Sequence, residues 1–231
     1  MQPTSGFILG LVCCLSPSLA SAQWSAQEEA HLFETSLAVP SALGWAADLD
    51  GDTAVLGAPQ PSTGLSGRAF VYTRNAGVWS TQAELIGSDS NAADEVGRAV
   101  AIDGDTIVVG APSDNPNGLF GAGSAYVFVR NGSTWTQQDK LNASDAAAGD
   151  GFGSSVSISE DTIVVGAPDR TEIVGARGRA YVFRRSGTTW TQEASFTQAL
   201  VHSSRFGYSV AVQGDTLFVG AYLWWNGTYA H

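Results

Sequence analysis

One short unit is copied in tandem along this chain, and that repetition restricts its fold more than any other feature. Gly-Ala-Pro or a close relative begins at Gly57, Gly110, Gly166 and Gly220, at separations of 53, 56 and 54 residues. Trp24, Trp79, Trp135 and Trp190 are separated by 55, 56 and 55 residues. Two markers of different chemistry keep one period, so the chain is an array of equivalent units, none of which can bury its apolar faces alone.

Each unit reads as four short strands. Ala99-Val100-Ala101-Ile102 leads into Asp103-Gly104, a dipeptide that predicts a two-residue type I′ hairpin with positive φ at both central positions. Thr106-Ile107-Val108-Val109 is continuous and β-branched, as in a strand covered on both faces, and Gly110-Ala111-Pro112 ends it because proline donates nothing to a ladder. The third strand, Ala125 to Val129, turns back at Arg130-Asn131-Gly132 into Trp135 to Leu141, polar in its middle and therefore an outer, solvated strand. No segment keeps a helical period beyond a short polar patch around Glu28.

Four antiparallel strands per unit predict an all-β fold, a β-propeller of four-stranded blades packed radially. The boundaries are a lone outer strand at 23–33, blade one at 42–87, blade two at 95–143, blade three at 151–197 and a partial blade four at 205–231. The propeller is therefore incomplete, about three and a half repeats of a truncated chain; a closed four-blade ring is the alternative. Recurrence assigns Trp24, Trp79, Trp135 and Trp190 to packing between blades, and makes Gly57, Gly110, Gly166 and Gly220 structural as well.

Phe152-Gly153-Ser154-Ser155-Val156 and Phe206-Gly207-Tyr208-Ser209-Val210, each followed by Gly-Ala-Pro or Gly-Ala-Tyr, resemble FG-GAP repeats. That family builds the seven-bladed propeller of integrin α chains and occurs in secreted bacterial proteins, so the resemblance implies a binding surface. Units one and two depart from it with Leu43-Gly44 and Val96-Gly97. Integrin-type repeats also carry a calcium loop between the first two strands, which here is shortened to Ile102-Asp103-Gly104-Asp105 and its counterparts. Asp48, Asp50 and Asp52 alone offer three alternating carboxylates, but the glycine and the twelfth position depart from a calcium loop, and a hairpin turn is the better reading. No cofactor is expected, with calcium at those three aspartates as the alternative. Asp89 with Asp94, and Asp145 with Asp150, are expected to accept backbone N–H groups in the turns before Gly97 and Gly153.

The apolar run Phe7 to Leu15, followed by Ala20-Ser21-Ala22, reads as a signal peptide over 1–22. Export to the extracellular space, the cell surface or a periplasm follows, and the run is far short of a membrane span of roughly 20 residues. Both cysteines, Cys13 and Cys14, fall inside that leader, which removes disulfide scaffolds and thiolate metal sites. A formal charge of −11, with ten arginines and one lysine scattered along the chain, argues against a nucleic-acid partner.

No catalytic motif is present: there is no Gly-x-Ser-x-Gly, no His-Glu-x-x-His and no glycine-rich loop after a strand, and His31, His202 and His231 lie in unlike contexts. The chain is therefore read as noncatalytic. Connections after the second strand are the long, variable ones and share one rim, where function usually concentrates. The candidate contacts there are Asp114, Asn115, Asn117, Arg170, Glu172 and Arg177, joined by Trp45, Arg98 and Tyr208, which follow the repeated glycine. The expected partner is an extracellular protein or glycan. The alternatives are a fragment of a propeller hydrolase or lyase and a calcium-stabilised surface protein. An open ring would also allow association through unpaired blade edges.

Overall fold

The computed structural model describes residues 42–59, 64–171, 177–198 and 204–223. The expected leader 1–22, the lone strand 23–33 with Trp24, and the three histidines lie outside them. Fourteen strands are described, with one 3₁₀ turn at Pro116–Gly118 and no α-helix among those residues. Sheet one holds β1 (Ala47–Asp50), β2 (Thr53–Ala58), β3 (Arg68–Asn75) and β4 (Val78–Leu85). Sheet two holds β5 (Ala99–Asp103), β6 (Thr106–Ala111), β7 (Ser124–Asn131) and β8 (Thr134–Leu141). Sheet three holds β9 (Ser155–Ser159), β10 (Thr162–Thr171), β11 (Arg177–Ser186) and β12 (Thr189–Phe196), and two strands of a fourth follow, β13 (Ser204–Gln213) and β14 (Thr216–Leu223).

Within each sheet the strands pair antiparallel in chain order, and β11 also runs parallel to β13 for two residues, Arg177 with Arg205 and Gly178 with Phe206. Equivalent single parallel bridges join Gly67 to Val96 and Gly123 to Phe152. One kind of junction thus recurs between successive sheets. The architecture is an incomplete β-propeller of four-stranded antiparallel blades.

The first hairpins differ from the expected turn. Register places Gly104-Asp105 at the centre, between Asp103 and Thr106, and only Gly104 has positive φ (55°). A type I′ turn needs two such residues, so the loop is of another type, shifted by one residue. Glu160 takes the glycine's place in sheet three at φ 53°, and its N–H donates to Asp103 of the neighbouring sheet.

Alternation along the strands sends each sheet's two faces to different neighbours. Val55, Val71 and Leu85 of sheet one pack with Val109, Tyr126, Phe128 and Trp135 of sheet two. Val108, Val127 and Leu141 of sheet two pack with Val165, Tyr181, Phe183 and Trp190 of sheet three. β2 and β6 are buried along their whole length, which is why both read as unbroken apolar runs. Phe152 sets its ring edge-on to Tyr181 and Phe183 at 5.4 and 5.9 Å between centroids, and Val96 is buried at the equivalent place one sheet earlier.

The paired glycines hold the junction. Gly97 has φ 94°, and its N–H donates to Gly110 of its own unit at 3.0 Å; Gly153, at φ 92°, does the same to Gly166 at 3.0 Å. A Cβ on Gly57 would overlap the Gly97 carbonyl oxygen, and Cβ atoms on Gly110 and Gly166 would overlap those of Gly153 and Gly207. One glycine of each pair supplies a left-handed backbone and the other an empty side.

Candidate functional site

The same junctions place the loop rim. Ala47 at the start of β1 pairs with Leu56 near the end of β2, so Trp45 and the connection after β2 emerge at one end of the sheet. Trp45 and Tyr208 are both more than half exposed. The Arg98 guanidinium lies over the Trp45 ring at 4.3 Å, joining the rims of two units by a cation–π contact. Tyr208 sits where the β13–β14 register shifts between Phe206 and Ser209.

The loop from β6 to β7 is built around the 3₁₀ turn. Pro116 is buried beneath it and Asn117 takes φ 55°. Asn115 Oδ1 accepts the Gly121 N–H at 2.7 Å, and the Phe120 carbonyl accepts the Gly149 N–H at 2.8 Å. Between these ties the Phe120 side chain is 79% exposed. The sequence reading passed over Phe120; its signal is an aromatic residue inside a Gly-rich connection of the variable set.

Asp114 belongs to the interior instead of the rim. It is buried, accepts the Ser124 hydroxyl at 2.5 Å and pairs with Lys140 Nζ at 2.7 Å. Lys140 also reaches Asp89 at 2.7 Å, and Asp89 accepts the Tyr126 hydroxyl at 3.0 Å. Burial raises the Asp89 carboxyl, but hydrogen bonds from Lys140 and Tyr126 outweigh it and leave the group below its ordinary value. Burial pulls the Lys140 ammonium down, and its bonds to Asp114 and Asp89 more than reverse this. Asp94 is pushed up by burial, with its Oδ2 accepting the Asn91 N–H at 2.5 Å.

Sheet three repeats this cluster with the cation moved. Asp145 accepts the Tyr181 hydroxyl at 2.9 Å, and Asp150 accepts the Ala147 N–H at 2.8 Å. Arg170, at the loop position of Asp114, bridges Asp145 and Asp150 at 3.1 and 2.8 Å. The strand position of Lys140 is Ser195, whose hydroxyl oxygen accepts a bond from Arg179 at 3.2 Å. An ammonium or guanidinium thus sits among the carboxylates at both junctions. Glu172 and the Arg177 side chain fall outside the described residues.

Asp48, Asp50 and Asp52 turn to three different donors. Asp48 accepts the Ile102 N–H at 2.8 Å, Asp50 accepts the Gly104 N–H at 2.7 Å, and Asp52 pairs with Arg74 at 2.8 Å. Ser157 and Ser159 do the same to Val212 and Gly214 at 3.1 Å each. The innermost strands are therefore stitched side chain to backbone around a cavity of about 700 Å³. Asp50, Asp103, Ser159 and Gln213 each line it at one sheet position, as do Leu49, Ile102, Ile158 and Val212. Among the described residues no group of three or more His, Cys, Asp or Glu is placed to hold a metal ion. No described helix is long and apolar enough to cross a membrane.

The tryptophans of the outer strands occupy equivalent settings. Trp135 Nε1 donates to Gln82 of sheet one at 2.8 Å, and Trp190 Nε1 to Gln138 of sheet two at 3.0 Å. Arg130 and Arg185 lie over those rings at 5.2 Å each and pair with Asp105 and Asp161 at 2.7 and 2.6 Å.

Stacked sheets joined by recurring glycine pairs define a β-propeller module. Two segments, 79–128 and 135–183, match the family model of the FG-GAP repeat, each running from the outer strand of one sheet to the third strand of the next. These two segments are FG-GAP repeats. No curated protein matches the chain. Among solved structures, Sqt1 of Saccharomyces cerevisiae is similar at 12% identity and a TM-score of 0.43, over 68% of this chain and 36% of that one. The chain thus spans about a third of that protein's length.

Proposed function

We propose that the chain is a secreted, noncatalytic binding module that takes an extracellular protein or glycan on its loop rim. The observation that carries this reading is the exposure of three aromatic side chains on fixed backbone: Trp45 next to the junction glycine Gly44, Phe120 on the loop tied by Asn115 and Gly149, and Tyr208 at the register shift of β13 next to Gly207. A rigid aromatic plane offers large contact area at small entropic cost, and Arg98 over Trp45 adds a positive edge. Asn115 and Asn117 bring amide groups to the same loop as Phe120. Arg170 belongs to the junction cluster and orients that rim.

The test compares wild type with Trp45→Ala/Phe120→Ala for retention on immobilised glycans and on extracellular matrix proteins. Loss of retention, with thermal unfolding unmoved, supports the reading; equal retention by both proteins contradicts it. Amino-terminal sequencing of exported protein checks the leader, with Gln23 the expected first residue. Addition of about 5 mM Ca²⁺ is expected to leave the unfolding temperature where it was, since a ligand that favours the native state must raise it.

A further inference from the structure

Four arginine–tryptophan stacks recur among the described residues, and one of them lacks a member that the other three have. Arg74 over Trp79, Arg130 over Trp135 and Arg185 over Trp190 lie at 5.4, 5.2 and 5.2 Å. Each of these guanidinium groups also holds an aspartate through its Nε: Asp52 at 2.8 Å, Asp105 at 2.7 Å and Asp161 at 2.6 Å. Stacking occupies the flat face of a guanidinium and leaves its in-plane N–H groups for a carboxylate, so the three-part unit satisfies both.

On the rim, Arg98 lies closer to its ring, 4.3 Å from Trp45, yet no described carboxylate pairs with it. Every other arginine whose side chain is described has an acidic partner, from Arg68 with Glu84 to Arg205 with Asp169, and so does Lys140. Acidic residues are not scarce in a chain of formal charge −11. Trp45 is more than half exposed, whereas Trp135 and Trp190 are buried. Both rim residues follow junction glycines of positive φ, Gly44 at 84° and Gly97 at 94°, whose N–H groups donate to Gly57 and Gly110 at 3.0 Å. An exposed aromatic plate and a set of cationic N–H donors are thus held side by side before a ligand arrives.

We infer that this pair binds a carboxylate-bearing sugar of a glycan, the pyranose against the Trp45 indole and the carboxylate on the N–H edge of Arg98. The ligand then supplies the acid that aspartate supplies in the other three units. An acidic side chain of a protein ligand has no flat apolar face of comparable size to lay on the ring. One guanidinium on an otherwise acidic surface suits a glycan whose carboxylates are sparse, set between neutral sugars or at a chain end; a densely sulfated chain meets repulsion. Tyr208, exposed at the same position two sheets beyond Arg98, gives a longer glycan a second ring to rest on. The inference rests on the rim being the binding surface and adds the class of ligand.

Calorimetric titration of the full chain tests it with a short hyaluronan oligosaccharide, the same oligosaccharide reduced at its carboxyl groups, sialyllactose and heparin. Wild type should bind hyaluronan or sialyllactose at least about tenfold more tightly than the reduced sugar, and more tightly than heparin, as a charge-assisted bidentate contact requires. The first carboxylated probe to win places the acid within the chain, the second at its end. Arg98→Gln should abolish the preference with thermal unfolding unmoved, and Arg98→Lys, which keeps the charge without the planar fork, should fall between. Equal affinity of wild type for carboxylated and reduced sugar, unchanged binding by Arg98→Gln, tighter binding of heparin, or no binding of either carboxylated probe overturns the assignment. If Trp45→Ala/Phe120→Ala still loses retention on other glycans or matrix proteins, the rim reading survives that failure; if the double variant binds every probe as wild type does, both fall together.

Discussion

The junction between sheets two and three and the trailing end of the array are built from the same sequence unit, yet they bury very different amounts of it. Val108 and Val164, two residues before the repeated glycine, have no solvent exposure, whereas Phe218 at the same position of β14 is 72% exposed. Leu85 and Leu141 close the outer strands of sheets one and two at 2 and 3% exposure, but Phe196 at that place in sheet three is 45% exposed. Strand formation is equal in these cases, so burial comes from the next sheet and not from the strand itself. The stability of such an array therefore lies mainly between its units.

That contrast is sharpened first by truncating side chains. Trp135→Ala removes a large buried ring from the sheet one–sheet two junction and should cost about 3–5 kcal/mol in denaturant unfolding. Phe218→Ala should change stability by no more than about 0.5 kcal/mol, as an exposed site does. Equal losses at the two positions would break the comparison.

Glycine is the next probe. Gly110→Ala sets a methyl group against the backbone of Gly153 and should cost about 3 kcal/mol, since neither strand can withdraw without breaking the junction. At Gly220 the nearest obstacle is the Ser209 hydroxyl, a side chain able to rotate, and Gly220→Ala should cost about 1 kcal/mol or less by the same reasoning. Thermal melts of the two variants, run side by side, give the difference.

The clusters at the two junctions differ in where the cation comes from, and pH separates them. Lys140 and Tyr126 both have folded-state values above the unfolded ones. The folded form holds these protons longer, so the stability they contribute is complete below pH 10.0, the ordinary tyrosine value, and is lost as pH rises through the folded values. Lys140→Met should flatten this alkaline loss and lower stability at neutral pH by about 2 kcal/mol, through carboxylates left without their partner. Asp89 acts in the opposite direction: its value is lowered, so its contribution fades as pH falls below 3.8. Unfolding curves from pH 8 to about 11.5 check the alkaline limb, where the lysine variant should diverge from wild type.

The smallest expected effect is Tyr181→Phe, about 1 kcal/mol for one hydroxyl bond to Asp145. Sheet one already carries Phe70 at this position, and the residue eight before its repeated glycine is Ser36, where sheets two and three have Asp89 and Asp145. Tyrosine and aspartate are thus present or absent together.

Much of the fold was legible because tandem copying turns weak local signals into repeated ones. The Trp and Gly-Ala-Pro spacings gave the unit, and the unbroken β-branched runs gave the strands covered on both sides. The turn type was misread because Asp-Gly suggests a glycine at the second central position, whereas the strand register puts it at the first. Asp114 was read as a rim contact since it follows a strand in a polar loop; only the fold brings Lys140 of β8 and Ser124 of β7 to it. Phe120 was passed over because an exposed aromatic in a loop has no periodicity to announce it. The side chain-to-backbone stitching by Asp48 and Asp50 links positions 54 residues apart and has no local signature.

Native-state hydrogen exchange of the backbone measures most directly whether stability resides between the sheets. Amides of β6 and β7, which have a neighbouring sheet on each face, should exchange only through global unfolding, and those of β14 at least about a hundredfold faster through local opening. Equal protection of β14 and β6 would contradict the account.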